Sequence, residues 1–362
     1  MAFEKICIIG TGLIGGSLAL AFKRKGVGKQ LIGIDHQNVI EKAVTQGIVD
    51  QGYEPSSLEK GIAGAELIVL ATPIHQILEL LPSIARIAPK GVLVTDVGST
   101  KEQIVQLARK EFHRGAFFLG GHPMAGSEKS GLDAADPFLF ENCFYILTPT
   151  VGTPTTLVNR LVTVLEKIGA KVLFLDAAVH DQIAAAVSHL PQILAVCLVN
   201  FIEKYNQPHY LKLAAGGFRD MTRIASSPFY LWQDICQTNS ENIIQVLNEF
   251  IEELNTFKKD FSPSGLREQF EKAAKTRLSI PRDTKGFVRP QFDIAVVVED
   301  KPGVIARIAT TLADRNINIR DIEVLKVRLW EGGTLRLSFE TEADRELALS
   351  LLKEKGFICQ KR

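Results

Sequence analysis

The sequence predicts an α/β protein in three parts: a doubly wound domain, an all-helical domain and a small βαββαβ domain. Three observations carry this. Over the first 175 of 362 residues, short β-rich runs alternate with helical stretches, the pattern that sets a parallel sheet between layers of helices. From 176 to 282 the strand signal vanishes, and long apolar-periodic segments such as 183–205 and 241–261 replace it. From 290 to 362 strands return in a shorter, mixed pattern.

Taken in order, the first domain (1–175) reads as strands at 5–9, 31–35, 67–71, 92–96, 117–120, 144–148 and 172–175. The second (176–282) opens with its most apolar helix. The window 183–202 contains Ser188, His189, Pro191, Gln192 and Asn200, which a bilayer tolerates poorly. A helix apolar nearly all round is instead expected to be buried, within its own subunit or between the two copies of a homodimer. The stretch 279–290, SIPRDTKGFVRP, mixes Pro, Gly and charge as linkers do. In the third domain (290–362), strand 292–298 precedes Pro302 and Gly303. These open a helix with Val304, Ile305, Ile308 and Leu312 on one face. Strands at 317–327 and 335–340, a helix at 342–355 and a strand at 357–360 complete a split βαβ, ferredoxin-like unit.

Lys and Arg total 42 against 41 Asp and Glu, so no basic surplus exists to neutralise nucleic acid or an anionic membrane surface. Cys7, Cys143, Cys197, Cys236 and Cys359 are odd in number and show no CxxC spacing. They read as thiols of a reducing compartment, and no metal is expected. The N-terminus, MAFEKICIIG, lacks the layout of an export signal, so a cytoplasmic location is expected.

Strand 5–9 runs into Gly10-Thr11-Gly12-Leu13-Ile14-Gly15 and then a helical run through Phe22, the context a GxGxxG motif needs in order to mean a dinucleotide. The glycines serve a tight turn, close approach of backbone to a pyrophosphate, and helix–strand packing, while the helix N-terminus holds the anion. Asp35, twenty residues after Gly15, ends the second strand where a carboxylate accepts the ribose hydroxyls. It would repel a 2′-phosphate, which favours NAD over NADP.

Hydride leaving a carbinol carbon requires a group to take the hydroxyl proton, usually histidine. Ligands of open α/β sheets sit beyond the carboxyl ends of the strands. His122 follows strand 117–120 into that crevice, and Ser99 follows the preceding strand in the same way. The competing readings are a loop histidine and an N-cap for the helix starting near Lys101. His189, alone in the apolar helix, reads either as functional or as a satisfied core group. Arg219 and Arg223, spaced i and i+4 about Asp220, suit carboxylate binding or a solvated helix face. His36, His75, His113, His180 and His209 are expected at the surface or in loops.

At these residues the sequence resembles the prephenate/arogenate dehydrogenase family of tyrosine biosynthesis, over roughly 3–280. The carrying motifs are GTGLIGGSLA, the run from Asp96 to Lys101 (DVGSTK), GGHPMAGSEKSG from Gly120 to Gly131, VSHLP from Val187 to Pro191, and GGFRDMTRIA from Gly216 to Ala225. Residues 290–362 resemble an ACT domain, with Asp300-Lys301-Pro302-Gly303 opening its first helix.

The resemblance implies NAD-dependent oxidative decarboxylation, of prephenate to 4-hydroxyphenylpyruvate or of arogenate to tyrosine. By similarity, His122 accepts the hydroxyl proton and Ser99 bonds to His122, the hydroxyl or the nicotinamide amide. Arg223 binds a substrate carboxylate; His189, Gly216 and Arg219 line the pocket; Glu128 and Asp220 form an ionic network at its mouth. Thr72 and Pro73 lie along the dinucleotide. The ACT domain implies feedback by tyrosine near Asp300, Pro302, Gly303 and Asn316, with a purely oligomeric role as the alternative. Two positions depart from the pattern. Gln192 stands where some members have a second histidine, and Arg219 replaces a lysine, keeping charge but changing geometry. With no chorismate mutase segment before Met1, a monofunctional dehydrogenase is expected. The rivals are a 3-hydroxyacid dehydrogenase, which would need a catalytic lysine in the helical domain, and a non-catalytic NAD and amino-acid sensor.

Overall fold

The computed structural model describes residues 3–113, 115–126, 129–279, 292–299, 301–328 and 332–361. The chain forms two compact units, Met1–Lys285 and Gly286–Arg362, and the first holds both the large sheet and the helical segment.

In the first unit, β1 (Lys5–Ile9), β2 (Gln30–Ile34), β3 (Gln51–Tyr53), β4 (Leu67–Leu70), β5 (Leu93–Asp96), β6 (Phe117–Pro123), β7 (Phe144–Pro149) and β8 (Lys171–Phe174) make one sheet, ordered β3-β2-β1-β4-β5-β6-β7-β8. Runs such as KICII and LIVL are apolar without alternation because helices cover both faces. One core layer gathers Phe3, Leu18, Phe22 and Tyr145, the other Ile32, Ile77, Leu81 and Phe118. The strand order reverses at β1, which pairs in parallel with both β2 and β4. That reversal opens a crevice at the carboxyl ends.

Two features depart from the sequence reading. β3 is an edge strand of Gln-Gly-Tyr with no apolar run to announce it. β7 lies antiparallel to β6, whereas an all-parallel sheet was expected. Among the described residues, the connection between them contains only a single 3-10 turn, Leu132–Ala134, and so lacks the crossover helix a parallel return requires. β8 then returns parallel to β7 through helix Thr155–Lys167.

The helical segment begins with Ala177–Ala184, passes through a π-helical turn at Ala185–His189 and continues as Leu190–Glu203. Its 27 residues are long and apolar enough to cross a membrane by length and composition. One stripe, carrying His180, Asp181, Ala184, His189 and Gln192, is buried within the chain. The opposite side is not: Val187 is 63% and Phe201 50% exposed. Burial of the whole helix within its own subunit, one of the two expectations, is therefore corrected. Among the described residues, no element covers that side.

In the second unit, β9 (Phe292–Val298), β10 (Asp321–Arg328), β11 (Gly332–Phe339) and β12 (Ile358–Lys361) form an antiparallel sheet ordered β10-β11-β9-β12. Helices Val304–Ala313 and Glu342–Glu354 pack on it through Ile308, Leu312, Ala348 and Leu352. Gly303 and Asn316 bracket the first helix with positive φ, 87° and 56°, which glycine and asparagine tolerate best.

Candidate active site

The carboxyl ends of β1, β2, β4, β5 and β6 converge, and each carries an expected site residue. After β1, Gly10 has φ 90°, and a Cβ there would lie 2.6 Å from the Ala71 carbonyl oxygen. A Cβ on Gly15 would lie 1.9 Å from the Gly10 oxygen. Both positions therefore demand glycine. Gly12 faces open space and caps helix Leu13–Arg24 without a side-chain partner, so the amides of Leu13 and Ile14 face outward. This is a cradle for an anion at a helix N-terminus. Beyond β2, Asp35 Oδ2 accepts from the Thr11 amide at 2.7 Å and the Thr11 hydroxyl at 3.0 Å, and Oδ1 accepts from the His36 amide at 2.8 Å. The carboxylate thus braces the glycine loop and retains acceptor capacity for a diol. Beyond β4, Thr72 keeps a buried hydroxyl with no hydrogen-bond partner among the described residues, and Pro73 caps helix Ile74–Ile87. These residues fit a dinucleotide.

At the end of β5, Asp96 ties the loop that follows it to β6. Its Oδ2 accepts from the Gly98 amide at 2.8 Å, its Oδ1 from the Gly121 amide at 3.1 Å, and the buried Lys101 ammonium pairs with it. Ser99 and His122 are the neighbours of these two glycines. No hydrogen bond joins Ser99 to His122 among the described residues. Nor does Ser99 cap helix Glu102–Glu111: the amides of Lys101 and Glu102 bond instead to Asp181, at 2.7 and 2.9 Å.

His122 lies inside β6 rather than after it. The parallel ladder to β5 ends at Leu119, but pairing with β7, where His122 faces Ile146, carries the strand on to Pro123. His122 Nδ1 lies 2.8 Å from His180 Nε2, and His180 Nδ1 lies 2.7 Å from Asp181 Oδ1. Burial holds the His122 imidazole well below the ordinary histidine value, and the charges of His180, Lys101 and His189 push the same way. It stands neutral at pH 7.

His180 corrects the sequence reading, which expected it at the surface or in a loop, for it lies on helix Ala177–Ala184. It is 2% exposed and is His122's partner. Its neighbour Asp181 was missed altogether. The one signal was a His-Asp pair opening an otherwise apolar helix, and nothing local joins it to a loop 80 residues earlier.

His189 is equally buried, in edge-to-face contact with Trp232 and bonded through Nδ1 to Asn239 Nδ2 at 3.2 Å. Burial pushes it down to about 4. Gln192 donates to the Ile224 carbonyl at 3.0 Å, tying the apolar helix to the turn Arg223–Ser226. Gly216, Arg219, Asp220 and Arg223 lie exposed on helix Gly216–Thr222 and that turn, which pack on helix Leu190–Glu203 rather than on the strand ends. Glu128 and Asp300 lie outside the described residues. Pro302 is exposed, beside the left-handed Gly303.

Comparison with known proteins gives the same assignment along the whole chain. Residues 18–174 match the family model for the prephenate dehydrogenase nucleotide-binding domain, 176–276 its dimerization domain, and 292–353 the ACT domain. The chain is 38% identical to a prephenate dehydrogenase of Bacillus subtilis, over 98% of this chain and 96% of that protein. Among solved structures it resembles the Aquifex aeolicus prephenate dehydrogenase in complex with hydroxyphenyl propionate and NAD+. That match has a TM-score of 0.72 and 31% identity, over 78% of this chain and 99% of the other. A Synechocystis arogenate dehydrogenase superposes with a TM-score of 0.67 and 32% identity, over 77% of this chain and all of the other.

Proposed function

Since the chain belongs to the prephenate dehydrogenase family, we propose that its substrate is prephenate, which it oxidises and decarboxylates with NAD+ to give 4-hydroxyphenylpyruvate. The observation that carries this reading is the convergence of the Gly10–Gly15 cradle, Asp35, Ser99 and His122 at the carboxyl ends of adjacent strands. Bound in that cradle, NAD+ supplies the hydride acceptor.

His122 accepts the C4 hydroxyl proton as hydride leaves that carbon, relieving the positive charge that would otherwise build there. The C1–carboxylate bonding pair enters the ring as CO₂ departs. The net reaction, prephenate dianion plus NAD+ to 4-hydroxyphenylpyruvate, CO₂ and NADH, releases no proton. His122 therefore returns its proton to the ring oxygen once the ring is aromatic. Ser99 orients the hydroxyl, Arg223 binds a carboxylate, and His189, Gly216 and Arg219 line the pocket, with Asp220 at its mouth.

Two copies associate through the helical region in this reading, covering the exposed side of helix Leu190–Glu203, and the enzyme works in the cytoplasm. Tyrosine is the effector of the ACT domain, bound near Pro302, Gly303 and Asn316. NADH absorbance, followed with prephenate or arogenate and with or without tyrosine, tests the substrate and effector assignments, and sedimentation at micromolar concentration tests the dimer. Faster turnover of arogenate would overturn the substrate assignment, and indifference to tyrosine the effector assignment.

A further inference from the structure

We propose that His180 and Asp181 set the tautomer of His122, holding its proton on Nδ1 so that Nε2 meets the substrate as an unprotonated base. The proposal rests on His122 being the proton acceptor of the reaction above.

Asp181 is the fixed end of the chain. Its Oδ1 accepts from the Lys101 amide and from His180 Nδ1, both at 2.7 Å, and its Oδ2 accepts from the Glu102 amide at 2.9 Å. A carboxylate so placed has only acceptor sites to offer, so His180 Nδ1 carries a hydrogen. His180 Nε2 then either holds a second proton, making a cation, or presents a lone pair. The proposal takes the second: a neutral His180, whose hydrogen on Nδ1 goes to Asp181 and whose Nε2 accepts. The atom 2.8 Å away, His122 Nδ1, must therefore be the donor. A neutral imidazole has one proton to place, which leaves His122 Nε2 bare.

The same chain supports the charged state. When Nε2 takes the substrate's proton, the Nδ1–H bond to His180 becomes charge-assisted, and the negative charge of Asp181 lies at its far end. No proton needs to travel along the chain, since the one borrowed goes back to the product. His180 and Asp181 are positioning residues, acting through His122 alone.

Two side chains separate this role from packing. In His180→Gln the amide oxygen can occupy the Nε2 position and accept from His122, while the link to Asp181 is lost. In His180→Asn the amide sits at the Nδ1 position, keeps Asp181 and leaves His122 without an acceptor. We expect kcat to fall roughly 10²-fold or more in His180→Asn, as for a misoriented general base, with the NAD+ KM unchanged, and to return to within about tenfold of the parent in His180→Gln. Equal losses in two folded variants would reduce His180 to packing and overturn the proposal. Independently, long-range ¹H–¹⁵N spectra of the histidine-labelled full chain at pH 8, with the His122 signals assigned by their loss in His122→Asn, should show the proton on Nδ1. A proton on Nε2 would overturn the proposal. The spectrum is recorded without substrate and so stands apart from the choice between prephenate and arogenate.

Discussion

Asp96 and Lys101 form an ion pair with neither side chain exposed to solvent, and the same Asp96 holds the Gly98 and Gly121 amides, next to Ser99 and His122. Burial lowers the Lys101 ammonium from its ordinary value, and Asp96 pulls it back. Lys101→Met should destabilise the protein by about 3–5 kcal/mol, because it strands a buried carboxylate. Adding Asp96→Asn should restore part of that. Urea midpoints for the two variants check this, and equal stability of Lys101→Met and the parent would show that the pair is dispensable.

Replacing His122 by Asn should lower kcat by roughly 10² to 10⁴, the range for a lost general base. NAD+ affinity, read by equilibrium binding, should hardly change, since the cradle belongs to other strands. Undiminished turnover would remove His122 from the mechanism.

Arg223→Ala should act on KM instead. Loss of the ionic partner of a substrate carboxylate raises KM strongly with a smaller change in kcat. If KM is unaltered, Arg223 belongs to a solvated face and another cation holds the substrate.

Acid should weaken the fold through its buried histidines. His189 protonates near 4 in the folded chain but near 6.5 when unfolded. Below 6.5 the unfolded chain therefore binds a proton that the folded one refuses. The contribution is complete above pH 6.5 and is lost as pH falls to 4, about 3 kcal/mol in all. His122, depressed for the same reason, adds in the same direction. Urea midpoints at pH 7.5 and 4.5 should converge less in the parent than in His189→Gln. Identical pH slopes in the two proteins would show that His189 is not held neutral.

Much of this protein was legible in one dimension. The strand-then-glycine context of Gly10–Gly15, the spacing to Asp35, and the nearness of Ser99 and His122 to the ends of apolar runs are short-range features. Backbone conformation and strand periodicity depend on neighbours in sequence, so residue order alone announced seven of the eight strands of the large sheet, the helical segment and the βαββαβ unit. What only the tertiary structure decided is who meets whom across long separations. His180 and Asp181 looked like the polar start of an apolar helix until folding set them against residues 58 and 80 positions earlier. The antiparallel course of β7, which carries His122 past the parallel ladder, came from a connection with no crossover helix among the described residues, and the exposed side of helix Leu190–Glu203 from the lack, among those residues, of an element to cover it. A hydrogen bond between distant residues leaves no periodic trace in the chain, because its geometry is set by the packing of the elements that carry its two ends.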